Sequence, residues 1–412
     1  MKHLFTLLIF LISFPLTAVT YSNQLEPHII YARQARIGSV NSEEALEKNF
    51  ETLPLYGNGS SLKMAIVNML QTELGLGLDK EELLPLAGSE IAGRSDDPVF
   101  FLLKKKNLMM VIKAFVDPKS PSSKFLPELS GLDFLQNHSE LGISSPRPLA
   151  VGKTWVGDKW YGLLAESPAL GKRIDSYILD IPEKDDGKTR RKKVQLADKI
   201  LSMAAVSFAN QNNTKGLKRS LSSKEAVKIQ DRVKKLEQQQ SILQIDLQPL
   251  KEKVMQLTEI AQNLKFLLGY SHNSAHSANV FYEEKEDRIW YIDVAKFHKS
   301  FNVNEEPLSF SAYDIIRLTE NVRKISLGHL SPEEANSIIS HALHIYLHTS
   351  EDPEAKILIE LFQLDSFMKR LITIAKNLNS PDEKTRRQAK ELQEVIKREL
   401  SVSLATDSVL AK

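Results

Sequence analysis

Apolar positions along the chain first follow a helical spacing and then a strand spacing. Within 61–74, Met64, Ala65, Val67, Met69, Leu70 and Leu74 fall near one face, which predicts an amphipathic helix. Short apolar runs bounded by turn signals come next: 83–87, then 99–103, then 108–115 beyond a Lys-Asn turn. They read as three consecutive antiparallel strands. A helix carrying Glu128, Leu129, Leu132, Phe134 and Leu135 follows, then two strands around 147–151 and 160–165, joined across Gly157 and Asp158.

The pattern then changes. The stretch 180–192 is charged and carries Pro182 and Gly187, so it reads as a linker. Helical spacing dominates beyond it, interrupted by a strand pair near 279–294. A sheet-rich part followed by a helix-rich part predicts an α+β chain with two lobes. From Ile229, apolar residues recur at spacings of four and three through Val233, Leu236, Leu243, Leu247, Leu250, Val254, Leu257, Ala261, Leu264 and Leu268, with Gln240 breaking the seam. Pro249 interrupts a continuous helix, and Ser222 with Glu225 offers a capping box. Two packed helices of one bundle are the preferred reading, with a dimeric coiled coil as the alternative. Further on, Ser331, Pro332 and Glu334 combine an N-cap, a first-turn proline and a capping-box glutamate. His341, His344 and His348 share a face of that helix, and a packed or surface stripe is preferred to a metal site.

Composition narrows the function classes. With 54 basic against 52 acidic side chains the net charge is +2, far from the basic excess of a dedicated nucleic-acid binder. The runs Lys104-Lys105-Lys106 and Arg190-Arg191-Lys192-Lys193 read as solvated turn and linker. The absence of cysteine removes disulfides, thiol catalysis and cysteine zinc sites. Lys2 and His3, an apolar stretch over 4–19 and small residues around Ala18 predict an export signal over 1–22, with an uncleaved anchor as the alternative. No other segment is apolar enough to span a bilayer. The final compartment is open.

Three places carry candidate chemistry. Gly88, Ser89 and Gly93 fall between the first two strands, where a glycine hairpin can bring backbone N–H groups to phosphates. Lys113 is a charged residue in an otherwise apolar third strand, so it needs a partner or a ligand, and Glu128 on the next helix is the natural partner. The alternative is a strand-end lysine reaching water. The third is the stretch Ser271-His272-Asn273-Ser274-Ala275-His276-Ser277-Ala278-Asn279, followed by Ile292-Asp293.

The order and spacing of these residues resemble the aminoglycoside phosphotransferase and choline kinase branch of the kinase-like fold, over roughly 83–327. That branch carries a His-x-Asp, then four residues and an asparagine, and later an Ile-Asp or Leu-Asp. The resemblance implies a bilobal protein-kinase-like fold with a small antiparallel-sheet N-lobe and a mainly helical C-lobe. It implies ATP and Mg²⁺ as cofactors, with Asn279 and Asp293 on the metal and Gly88, Ser89, Gly93, Lys113 and Glu128 around the nucleotide. The stretch Leu163-Leu164-Ala165-Glu166-Ser167-Pro168 with Gly171 looks like the hinge that contacts the base, which places Glu166 and Pro168 there. The implied organisation is an N-terminal extension over 23–80, an N-lobe over 81–166, a C-lobe over 167–330 with a helical insertion over 193–268, and C-terminal helices over 331–412.

One position departs from the pattern. Ser274 stands where the branch has its catalytic aspartate, and a neutral hydroxyl is a poor proton acceptor near pH 7. His272 and His276 are the nearby groups that titrate in the right range. Two functions therefore remain: a phosphotransferase acting on a small-molecule or protein hydroxyl, and a pseudokinase that holds nucleotide or binds a partner through its helices.

Overall fold

The computed structural model describes residues 50–405, except 59–60, 79–82, 86–96, 105–106, 121–122, 183–186, 213–215 and 303, with side chains described to 394 apart from those of 58 and 104. The chain forms two compact units. Among the described residues, one comprises those up to Tyr177 with His272–Leu308, the other Ile178–Ser271 with those from Ser309 onward.

In the first unit the expected strands appear as β2 (Leu83–Pro85), β3 (Val99–Lys104) and β4 (Asn107–Val116). After helix α2 (Phe125–Asn137) come the short β5 (Ile143–Ser144), then β6 (Pro148–Val156) and β7 (Lys159–Glu166). They join a six-stranded sheet in the order β1-β6-β7-β4-β3-β2. The added edge strand β1 (Leu55–Asn58) runs parallel to β6. No pattern announces it: only Leu55 and Tyr56 are apolar, and its partner lies about a hundred residues away. Helix α1 (Leu62–Leu74) starts at Ser61, whose hydroxyl accepts from the Met64 N–H, and stops at Gly75 in the left-handed conformation. Its Ile66, Met69 and Leu70 pack on Leu83, Phe100, Leu102, Ile112, Ala114, Leu163 and Ala165 from one face of the sheet.

Side chains alternate across a strand, so the residues between those core positions lie on the opposite face. Register aligns them in two rows: Leu84–Phe101–Val111–Glu166 and Val99–Lys113–Leu164. An apolar strip therefore runs beside the row that carries the lysine. A second, four-stranded sheet has the order β5-β10-β9-β8, built from β8 (Lys172–Arg173), β9 (Val280–Glu283) and β10 (Arg288–Tyr291). The β9–β10 hairpin is the strand pair expected near 279–294.

The second unit is helical: α3 (Gly187–Asn210), α4 (Ser223–Glu237), α5 (Gln248–Asn263), α6 (Ala312–Ile325), α7 (Pro332–Thr349), α8 (Ala355–Leu378) and α9 (Glu383–Ala405). The expected linker over 180–192 needs correction, because α3 begins at Gly187 and takes in the whole basic run. Glycine and like charges suggested a break, but lysine and arginine are good helix formers. Arg190 is held by Glu334 and by the His329 carbonyl at 3.1 Å. The heptad seam is buried inside this unit, with Ile229, Val233, Leu250 and Val254 at most 5% exposed. Pro249 sits in the first turn of α5, and both α4 and α5 pack on α8. The bundle reading thus holds over the dimeric coiled coil. Capping boxes form at Ser222 with Glu225 and at Ser331 with Glu334. His341 pairs with Asp198 at 2.8 Å, and the rings of His344 and His348 stack. Among the described residues no helix is long and apolar enough to cross a membrane. The architecture is α+β and kinase-like: a mixed sheet, antiparallel except for β1, with α2 interposed in the chain between the lysine strand β4 and the returning strands, and a separate helical unit.

Candidate functional site

The site lies wholly in the first unit and is built around Lys113. Its strand places the side chain on the face opposite the α1 core, where it is 8% exposed. A charge there must be paired. Glu128, in the first turn of α2 where the helix dipole favours an anion, supplies the nearest carboxylate at 2.5 Å. Two more approach: Glu166 at 3.1 Å from the end of β7, and Asp293 at 3.3 Å. Glu128 and Glu166 are buried, whereas the Asp293 side chain is 59% exposed. Lys113, Glu128, Glu166 and Asp293 are thus brought together.

Asp293 is placed by the loop that precedes it. The Ile292 N–H donates to the Asn279 carbonyl at 3.0 Å, and the Ile292 carbonyl accepts from His272 Nε2 at 2.8 Å. This peptide, clamped on both sides, leads into Asp293, which takes a left-handed conformation (φ 53°) and begins the 3-10 helix Val294–Ser300. That helix packs on α2 at Gly131, where an added Cβ would lie 2.7 Å from the Val294 carbonyl oxygen. The close approach sets the helix bearing Glu128 against the segment bearing Asp293. Asn279 donates its side-chain amide to the Ser274 carbonyl at 3.3 Å, which leaves Oδ1 as the atom able to face a cation. Asn279 Oδ1 and the exposed Asp293 carboxylate suit Mg²⁺, which is usually held by one or two protein oxygens plus substrate phosphates. Among the described residues no group of three His, Cys, Asp or Glu side chains is arranged to hold a metal ion by itself.

The electrostatics follow from this crowding. Burial works to deprotonate Lys113, but Glu128, Glu166 and Asp293 outweigh it and hold its pKa well above the ordinary value. The protein crowded around Asp293 opposes its charge even though much of the side chain meets solvent, yet Lys113 prevails and keeps that carboxyl below its usual range. At Glu166 burial wins over the pull of Lys113 and pushes the carboxyl up to about 8. Burial lowers His272 to about 4. With its Nε2 spent on Ile292 and its ring edge-on to Tyr291, His272 is a clamp for the loop rather than a proton acceptor. Ser274 is 8% exposed, and its carbonyl also accepts from the His276 N–H. His276 is partly exposed on the same loop.

Gly88, Ser89 and Gly93 lie outside the described residues. Pro168 is partly exposed just after β7, where the Ser167 N–H donates to the Arg147 carbonyl. Glu166, expected in the hinge segment, ends β7 with its side chain 3.1 Å from Lys113. The strand pattern could have flagged this, since Glu166 falls two positions after Leu164 on the lysine face.

No family model and no curated protein sequence matches the chain. Solved structures it is similar to include a GDP complex of wild-type aminoglycoside 2′-phosphotransferase-IIIa, at 12% identity over 82% of this chain and 100% of that one, with a TM-score of 0.45. A glucosamine kinase in complex with glucosamine, ADP and inorganic phosphate is similar at 11% identity over 78% and 82%, with a TM-score of 0.47. Plasmodium vivax ethanolamine kinase is similar at 12% identity over 87% and 95%, with a TM-score of 0.40. At TM-scores below 0.5 these likenesses carry no weight for the site, which rests on its own geometry.

Proposed function

We propose that this protein binds ATP as its Mg²⁺ complex in a phosphotransferase framework whose transfer step is blunted at Ser274. The observation that carries the reading is the buried Lys113–Glu128 ion pair joined by Asp293 beside an apolar strip. An ammonium so placed can hold phosphate oxygens, and the row Leu84–Phe101–Val111 offers a flat apolar surface to a base. Asn279 and Asp293 would hold the Mg²⁺, which would draw charge from the transferring phosphate. Phosphoryl transfer depends mainly on positioning and charge stabilisation, so loss of the base slows it without removing the binding framework. The acceptor would be a small-molecule or protein hydroxyl.

Ser274 favours a second reading, a pseudokinase that holds nucleotide without turnover. The two separate on one variant. Ser274→Asp restores a carboxylate base, a group worth about 10²–10⁴ in rate. The first reading expects phosphate release or transfer from ATP to rise by about a hundredfold in Ser274→Asp. An unchanged rate in a variant that still binds ATP would leave the binding-module reading. The N-terminal pattern adds that the protein is exported, to a compartment that must contain nucleotide if it acts on ATP.

A further inference from the structure

One end of the sheet carries an aromatic and cationic patch that the nucleotide reading does not use. Strands β6 and β7 pair Trp155 with Trp160, so the two indoles share a face, with ring centroids 6.4 Å apart. This is the lysine face, further along β7 from Leu164, the partner of Lys113. Helix α2 covers that face as far as Gly162, where an added Cβ would lie 3.0 Å from the Phe125 ring. Beyond it, Phe50 stands edge-on to Trp160 at 5.0 Å, and Leu55 of β1 aligns with Lys153 of β6. The ammonium groups of Lys119 and Lys153 lie 4.4 and 4.6 Å from the centre of the Phe50 ring. Trp155 is 42% and Leu55 53% exposed. A cross-strand tryptophan pair can serve a hairpin alone, but that role calls for neither an exposed leucine nor two lysines beside it.

We infer that this patch docks on an anionic lipid bilayer, with Trp155 and Leu55 entering the interface and Lys119 and Lys153 meeting headgroup phosphates. Indole rings settle at headgroup level, and lysines near the surface favour anionic lipid. Burial and the charge of Lys119 both lower the pKa of Lys153, against the pull of Glu51. A phosphate between the two ammonium groups would relieve that repulsion. Glu51 and Asp158, also exposed, limit the net charge. Insertion of Trp155 and Leu55 therefore supplies most of the affinity, and the lysines choose the headgroup. The sequence points to the same occupant. The apolar stretch 4–19, which reads as an export signal or an anchor, precedes Phe50 by 30 residues, a length that spans at most about 100 Å. A patch that begins at Phe50 is thus within reach of the bilayer which that stretch would enter. The inference is independent of the nucleotide reading.

The test is tryptophan fluorescence of the full chain mixed with vesicles of phosphatidylcholine, with and without phosphatidylglycerol, whose acyl chains are brominated. Bromine quenches only indoles close to it, which separates docking of this patch from capture of the chain through 4–19. Wild type should be quenched and its emission shifted to the blue in the mixed vesicles. Trp155→Ser should lose more than half of the quenching, since Trp160 is less exposed and Trp290 lies in β10 of the other sheet. Leu55→Ser keeps every indole and should need about tenfold more lipid for the same quenching. Lys119→Gln should need about fivefold more of the mixed vesicles. If Trp155→Ser fails to fold, Leu55→Ser carries the comparison. Absence of quenching in wild type, or equal quenching in all the variants, overturns the proposal. Equal quenching of wild type by phosphatidylcholine alone overturns the preference for anionic lipid. A blue shift that grows with protein concentration in the absence of lipid would place a second copy on the patch and overturn it as well.

Discussion

Lys113 shows how a single side chain organises the site. A lysine in an apolar strand is tolerable only when paired, and its pair with Glu128, 15 residues on in the sequence, joins β4 to α2. Glu166 and the loop histidine His272 make the site sensitive to pH, in two windows of opposite sign. Glu166 titrates at about 8 in the fold against an ordinary 4.5. Its raised pKa favours the folded state fully below pH 4.5, and that contribution is lost as pH rises through about 8. His272, at about 4 against 6.5, behaves conversely: its contribution is present above pH 6.5 and lost as pH falls through about 4. Denaturant unfolding across pH should therefore show wild type losing stability relative to Glu166→Gln between pH 4.5 and 8. A constant difference over that window would contradict the burial of an ionisable Glu166 beside Lys113.

At the scale of elements, the contact between α2 and the 3-10 helix Val294–Ser300 sets the site's geometry. Gly131 is the point of closest approach. Gly131→Ala should gain about 1 kcal/mol in helix propensity and lose about 1–3 kcal/mol to overpacking against a backbone carbonyl. The expected result is a net lower melting temperature together with weaker Mg²⁺–ATP binding, because Glu128 and Asp293 are pushed apart. A stabilised variant with unchanged binding would show that the spacing of these helices does not matter.

The same scale explains what was legible in the sequence. The three strands before α2, the Lys113–Glu128 pair and the β9–β10 hairpin were readable because periodicity and charge placement are local signals. The edge strand β1 was not, since a parallel partner a hundred residues away leaves no trace in a four-residue segment. The start of α3 was hidden by the glycine and charges that open it. Glu166 was visible as a residue of the expected hinge, but motif order says only which residues are near a site, whereas strand parity says which way they point.

The molecule as a whole divides its chain unevenly between sheet and helices. The stretch from His272 to Leu308, far along the chain, belongs to the same compact unit as the sheet. Lys113, Glu128, Glu166, Asn279 and Asp293 therefore form one structural neighbourhood although some 180 residues separate its ends. The heptad seam is spent on the interior of the helical unit, so the surface open to an acceptor or a partner must lie elsewhere. The central claim is that the cluster around Lys113 holds a nucleotide through its phosphates and a cation. The measurement that tests it most directly is a thermal-shift titration of the full chain with ATP and Mg²⁺, run beside Asp293→Ala. The account predicts a rise in melting temperature with ligand for wild type, by about 2.7 kcal/mol of stabilisation at a hundred times Kd, and little or none for Asp293→Ala. An equal shift in both proteins, or none in either, would contradict it.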